Sequence, residues 1–200
     1  MGLVKTSLIR IDSGFLGNCK ALDEKGDAVE LKTLWSAGSA ILVFLRHFAC
    51  VACRAHATQV WSDREKYEKG GARIHFIGNG TPSYILRFKE DLGIMDASIL
   101  TDPSLESFRA AGFRKGFLAS HGPRSMVNGA KLLAQGHQQK LPGGGAGSVW
   151  QLGGIIVVKP DGKVAYQYVS EALGDFPPEK DIESLGDMGL STSDVATVTG

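Results

Sequence analysis

Cys50 and Cys53 are the residues whose type and spacing speak most directly of chemistry. They stand in Ile41-Leu42-Val43-Phe44-Leu45-Arg46-His47-Phe48-Ala49-Cys50-Val51-Ala52-Cys53-Arg54. The short apolar run that precedes them reads as a buried strand. A C-x-x-C that closes such a strand and opens a helix is the layout of a dithiol redox pair. At a helix N-terminus the unpaired backbone N–H groups and the macrodipole favour an anion, so a thiolate forms there more readily. The second cysteine lies one turn further in, within reach of a disulfide. Cys50 is therefore expected as the attacking thiolate and as the more exposed of the two, with Arg46 and Arg54 close in sequence to favour its anion. A peroxide would oxidise it to a sulfenic acid, Cys53 would condense with that to a disulfide, and an external thiol would reset the pair.

Neighbouring residues carry further expectations. His47 can accept a proton or tune Cys50, and Arg46 can orient a peroxide or a carboxylate. These four, Cys50, Cys53, Arg46 and His47, form the candidate catalytic set. Cys19 stands outside the motif and reads as a lone thiol. His47, Cys50, Cys53 and His56 recur every three residues, which invites a metal reading. On a helix, however, each step of three falls about 60° short of a full turn, so the four cannot close on one ion. No second C-x-x-C or histidine pair stands downstream, and Arg54 occupies the place where a haem-attachment motif needs histidine. Gly78-Asn79-Gly80 and Gly143-Gly144-Gly145 lack the lysine and hydroxyl residue of a phosphate-binding loop and read as loops. Neither an organic cofactor nor a metal is expected.

The elements that must position the pair follow from pattern. Ala21 to Leu31 suggests two short strands around a Lys25-Gly26-Asp27 turn, and Leu31 to Trp35 a brief helical turn. A strand over 41–46 leads into a helix from about Cys50 to Tyr67, stopped by Gly70-Gly71. Arg73 to Gly78 reads as a second core strand, completing a βαβ unit. Thr81-Pro82 and Asp102-Pro103 are cap and first-turn pairs for helices reaching Leu92 and Ala111, with a strand over Ala97–Thr101 between them. Gly154–Lys159 and Lys163–Tyr168 flank Pro160-Asp161-Gly162 as a hairpin. This order predicts an α/β fold of the thioredoxin type: a central mixed sheet, flanking helices and a C-terminal antiparallel hairpin. One domain is expected over 1–185, with 114–149 as a glycine-rich, basic insertion or loop and 186–200 as a flexible tail.

Bulk composition narrows the partners. The 200 residues are 43% hydrophobic and 22% charged, with a formal charge of +1. That balance gives no reason to expect nucleic acid or a membrane surface, and no stretch approaches the roughly 18 apolar residues of a membrane span. An N-terminus without the apolar core of a signal peptide and an odd count of three cysteines point to a reducing, cytoplasmic setting. A homodimer is left open.

Over about residues 20–183 the chain resembles the peroxiredoxin-like branch of the alkyl hydroperoxide reductase/thiol-specific antioxidant (AhpC/TSA) superfamily, which includes peroxiredoxin-like 2 proteins and prostamide/prostaglandin F synthase. The blocks that carry the likeness are Phe44–Arg54, Ile77-Gly78-Asn79-Gly80, Leu100-Thr101-Asp102-Pro103, Trp150-Gln151-Leu152-Gly153-Gly154, Lys159–Val164 and Asp175-Phe176-Pro177-Pro178. The resemblance implies a thioredoxin-like fold and thiol peroxidase or related reductase chemistry: hydroperoxides first, a specific endoperoxide or protein disulfides as the alternative. A redox-sensing or binding module is the alternative of another class. A thioredoxin-like protein or glutathione would donate electrons. Typical peroxiredoxins carry P-x-x-x-T-x-x-C. With Cys53 on that cysteine, Cys50 and Arg46 fall on the threonine and proline; with Cys50 there, His47 and Val43 do. The first register would make Cys53 the attacking residue. Gly153-Gly154 stands where thioredoxins place a proline before the hairpin, so Trp150-Gln151 would either lie near the sulfurs or pack under a loop.

Overall fold

The computed structural model describes residues 11–113, 115, 123–134, 136 and 145–177. The 186–200 tail and Gly143-Gly144 of the glycine-rich segment lie outside them. Seven strands form one mixed sheet: β1 (Lys20–Leu22), β2 (Ala28–Glu30), β3 (Ala40–Phe44), β4 (Arg73–Gly78), β5 (Ser98–Thr101), β6 (Gly154–Val158) and β7 (Val164–Val169), in the order β2-β1-β5-β4-β3-β6-β7. β3 runs parallel to β4, pairing Ala40 with Arg73 through Phe44 with Ile77, and antiparallel to β6, pairing Phe44 with Gly154. β4 and β5 are parallel, while β6 and β7 form the expected antiparallel hairpin.

All five residues of β3 are buried because both faces of the sheet are covered, the usual reason a strand is apolar without alternation. Successive side chains still point to opposite faces. Ile41 and Val43 pack with α2 (Val51–Ser62) and α4 (Ser83–Leu92), while Leu42 and Phe44 pack with α1 (Ser13–Asn18) and α5 (Glu106–Ala110). Burying an aromatic such as Phe76 or Phe108 in these layers contributes roughly 1.5–3 kcal/mol, and both are fully buried.

Several boundaries differ from expectation for local reasons. The strand expected over 41–46 ends at Phe44, and Arg46 to Ala49 form the bend that delivers Cys50. The helix expected to reach Tyr67 breaks at Asp63, where α2 closes and the short α3 (Arg64–Glu68) begins; aspartate favours helix ends over interiors. Asp102 does cap the next helix, but from a distance: its Oδ2 accepts from the Ser107 N–H at 2.7 Å across a turn in which Leu105 takes φ +62. Helix α1 was not anticipated. Asp12 caps it, accepting from the N–H groups of Gly14 and Phe15 at 2.9 and 3.1 Å. A sixth helix, α6 (Pro123–Ala134), lies in the segment expected as a glycine-rich insertion or loop.

Candidate active site

Phe48 sets the path of the chain into the site. It is fully buried, 6.1 Å from Tyr84 in a parallel stack and 5.1 Å from Phe88. It lies so close to Gly78 that any Cβ there would collide with its ring. The Phe48 N–H donates to the Ala146 carbonyl at 3.0 Å. The buried Asn79 side chain straps the same loops together: its Nδ2 donates to the Arg46 carbonyl and its Oδ1 accepts from the Ser148 N–H at 2.6 Å. Because Gly78-Asn79-Gly80 read as a plain loop in the sequence, this bracing was missed.

Cys50 occupies the N-cap of α2 with extended backbone, and its N–H donates to the His47 carbonyl at 3.2 Å. Cys53 sits one turn in, where its Sγ accepts the Arg46 N–H at 3.2 Å. The two sulfurs are close enough to shift each other's protonation in opposite directions. The Cys53 S–H, above all, holds the Cys50 thiol down to about 7 against the cost of burial, helped by the Arg46 guanidinium. The N–H groups of Cys53 and Ala52 lean toward the Cys50 sulfur electrostatically, although neither closes a cap hydrogen bond of normal geometry. Cys53 moves the opposite way: burial, and then the Cys50 sulfur, push its thiol well above the ordinary value. One sulfur is thus poised as an anion and the other as a proton holder.

Exposure departs from expectation. Cys50 is only 1% exposed and Cys53 7%, so Cys50 is not the more open residue. A helix N-cap faces solvent only if no loop covers it, and here the Arg46–Ala49 bend and the segment around Gly153 do. A Cβ on Gly153 would collide with the Phe44 carbonyl, so the bare glycine backbone lets β6 begin hard against the end of β3.

The expected site residues divide. Arg46 is brought to the sulfurs; its Nε donates to the Val149 carbonyl at 2.9 Å and its Nη2 reaches the same oxygen. His47 is buried, and its carbonyl receives the Cys50 N–H, but it does not line the cavity over the sulfurs. Arg54 was expected to favour the Cys50 anion; instead it pairs with Asp91 of α4 at 3.2 Å and lies over the Phe88 ring. Gln151 packs inside, its Nε2 donating to the Leu152 carbonyl at 2.8 Å, while Trp150 is exposed. Cys50 and Cys53 open instead onto a cleft of about 430 Å³, open solvent at its mouth included. Its walls are largely apolar, with Phe44, Leu152, Ile155, Leu173 and Phe176, and His56 joins Arg46 among its polar lining. His56 was weighed in the sequence only as a metal ligand; its place one turn after Cys53, on the same helix face, was the available signal.

The sequence profile of the AhpC/TSA antioxidant enzymes matches residues 59–172. The chain belongs to that family. The match begins after Cys53, so membership rests on the body of the fold, and the cysteine pair rests on its own geometry. Among relatives of this AhpC/TSA protein, the thioredoxin-like protein AAED1, chloroplastic, of Arabidopsis thaliana is 28% identical over 84% of this chain and 69% of its own length. The prostamide/prostaglandin F synthase of Homo sapiens is 29% identical over 83% of each chain. That of Xenopus tropicalis is 27% identical over 80% of this chain and 81% of its own. Peroxidoxin BcpB of Mycobacterium tuberculosis superposes with a TM-score of 0.57 at 17% identity, covering 87% of this chain and 90% of its own. The bacterioferritin comigratory protein of Xanthomonas campestris does so with 0.59 at 11% identity, covering 88% and 92%. These likenesses agree with the peroxiredoxin-like, mixed-sheet α/β fold described above. No helix among the described residues is long and apolar enough to cross a membrane.

Proposed function

We propose that this AhpC/TSA protein is a thiol-dependent peroxidase in which Cys50 attacks and Cys53 resolves. The observation that carries the reading is the placement of Cys50 at the N-terminus of α2 with Cys53 one turn on, both lining one cavity, with Cys53 and Arg46 holding the Cys50 thiol down to about 7. In the first step the Cys50 thiolate forms an S–O bond with a hydroperoxide while the O–O bond breaks. The sulfur is oxidised to a sulfenic acid, and the departing oxygen takes a proton to leave as an alcohol. In the second, Cys53 attacks that sulfur, the disulfide forms, and the hydroxyl departs with the Cys53 proton as water. Two external thiols, from glutathione or a thioredoxin-like protein, then take the disulfide's place and restore both cysteines. A reducing compartment such as the cytoplasm suits that last step. Arg46 acts here by favouring the anion and framing the cavity.

A second reading is favoured by the apolar walls and by relatives named prostamide/prostaglandin F synthase. An endoperoxide would form a sulfenate ester on Cys50 as its O–O bond opens. Cys53 would then attack that sulfur and break its S–O bond, so that both oxygens, each taking a proton, leave as a diol and the same disulfide forms.

Intact mass of the reduced protein after brief exposure to stoichiometric hydrogen peroxide tests the scheme. The wild type is expected to lose two hydrogens rapidly, Cys53→Ser to accumulate a trappable sulfenic acid, and Cys50→Ser to do neither. Oxidation no faster than that of a free thiol would overturn the peroxidase reading in favour of a disulfide reductase or a redox sensor.

A further inference from the structure

The cavity's polar lining is nearly all engaged by the protein itself. Segment 170–177, which forms one wall, is tied internally: the Ser170 hydroxyl donates to the Asp175 carbonyl at 2.9 Å, and the Asp175 carboxylate accepts from the Tyr168 hydroxyl at 2.9 Å and the Glu171 N–H at 2.8 Å. Leu173 of the same wall is held by Asn128 of α6, whose Nδ2 donates to its carbonyl at 2.9 Å. Arg46 is committed to Val149. His56 is different. It is 8% exposed, its ring stacks on Phe176 with centroids 4.3 Å apart and planes 26° apart, and its Nε2 has no hydrogen-bond partner among the described residues. Leaving a buried polar atom unsatisfied is costly, and a group of that kind in a cavity calls for a ligand atom.

We infer that His56 is the substrate-contact residue of this site, its Nε2 hydrogen-bonding an oxygen of a neutral peroxide whose apolar body lies against the cavity wall. The inference rests on the peroxidase reading for the identity of that oxygen. Burial keeps the imidazole uncharged down to about pH 4, so near neutrality it offers a neutral contact and favours no anion. A hydroperoxide both donates and accepts, so either imidazole tautomer can pair with it. The nitrogen is buried, so a ligand that reaches it must move part of the wall, and its apolar body takes the place so vacated. Hydrogen peroxide has no such body and gains little from the exchange. His56 sits one turn from Cys53 and two from Cys50 on α2, which would hold the bound oxygen on the cysteines' side of the cavity.

The test uses the full chain carrying Cys50→Ser, which cannot be oxidised at that sulfur, with cumene hydroperoxide as the probe. Saturable binding is expected to move the His56 imidazole nitrogen resonances. Adding His56→Phe, which keeps the aromatic stack and loses the nitrogen, should weaken binding about tenfold, the size of one buried hydrogen bond. His56→Gln should recover most of it. With Cys50 intact, His56→Phe should raise KM for cumene hydroperoxide more than it lowers kcat, and more than it raises KM for hydrogen peroxide, with the Cys50 alkylation profile unmoved. Absence of saturable binding, unchanged affinity in His56→Phe, or an equal fall for both peroxides with a shifted Cys50 profile would each overturn the inference. If binding depends on His56 but the wild type is not oxidised, the peroxidase reading fails and the contact stands. If the wild type is oxidised and His56→Phe binds normally, the reverse holds.

Discussion

Two buried sulfurs on opposite faces of the same sheet show what burial does to a thiol and what a helix end does to it. Cys19 caps the C-terminal end of α1, is 3% exposed, and donates its S–H to the Phe15 carbonyl at 3.4 Å. Burial first, and then the Glu106 and Asp102 carboxylates, raise it to about 11. Cys50 is still more buried, yet it is held at about 7. The difference lies in what faces each sulfur. Carbonyl and carboxylate oxygens surround Cys19 and want it protonated. A thiol donor, leaning N–H groups and a guanidinium surround Cys50 and want it ionised.

The largest consequence is a contrast in reactivity within one molecule. At pH 7 the gap between about 7 and about 11 gives Cys50 roughly three to four orders of magnitude more thiolate. The lower intrinsic nucleophilicity of an acidic thiol offsets about two of them. Cys50 should therefore alkylate with iodoacetamide about a hundred times faster than Cys19, read peptide by peptide by mass; equal rates would erase the contrast. Next in size, Cys53→Ala removes the strongest influence lowering Cys50 and should cut its thiolate at pH 7 about five- to tenfold, for a rise of one unit of pKa or slightly more. Cys53→Ser keeps a donor and should retain most of the thiolate, so a drop as large as that of Cys53→Ala would show that the thiol's hydrogen bond is not what matters.

Smaller still, Arg46→Gln keeps a donor for Val149 but removes the charge. It should lower the Cys50 alkylation rate at pH 7 only about two- to fivefold, because in a polar surround one charge a few ångströms away is worth a fraction of a pKa unit to one unit. Asp102→Asn is the smallest on the sulfur side. It removes one of the lesser influences raising Cys19, so Cys19 should alkylate slightly faster while Cys50 stays as it was. Its main effect would be on stability: loss of charged acceptors for Ser104 and Ser107 should cost about 1 kcal/mol by urea denaturation.

Much of this arrangement could be read from the residues. The apolar run of β3, the Arg73–Gly78 strand and the hairpin around Pro160-Asp161-Gly162 are local patterns, and they recur in the structure within a residue or two. The cysteine spacing by itself suggested a helix N-terminus, and Cys50 stands at one. What could not be read depends on contacts distant in sequence. Cys50 lies in a cavity whose lining includes Gly153, and Gly153 lets β6 begin hard against Phe44, a meeting across about a hundred residues. Arg54 turns to Asp91 and His56 to Phe176 for the same reason. His47 and His56 flank the motif almost symmetrically, yet only His56 lines the cavity, because it stands on α2 against Phe176 while His47 lies in the bend before the helix. Helix α1 escaped notice because six residues with one buried leucine carry too little periodicity to separate from a loop.

The most direct test of the contrast between the two sulfurs is the pH dependence of alkylation, measured at Cys50 and Cys19 of the same reduced protein between pH 5 and 10. A thiolate held at about 7 makes the Cys50 rate climb roughly tenfold per unit below that pH and level off above it. The Cys19 rate should still be rising at pH 10. A Cys50 midpoint at or above 9, or two profiles that coincide, would contradict the account, because the sulfur at the N-terminus of α2 would then be an ordinary buried thiol.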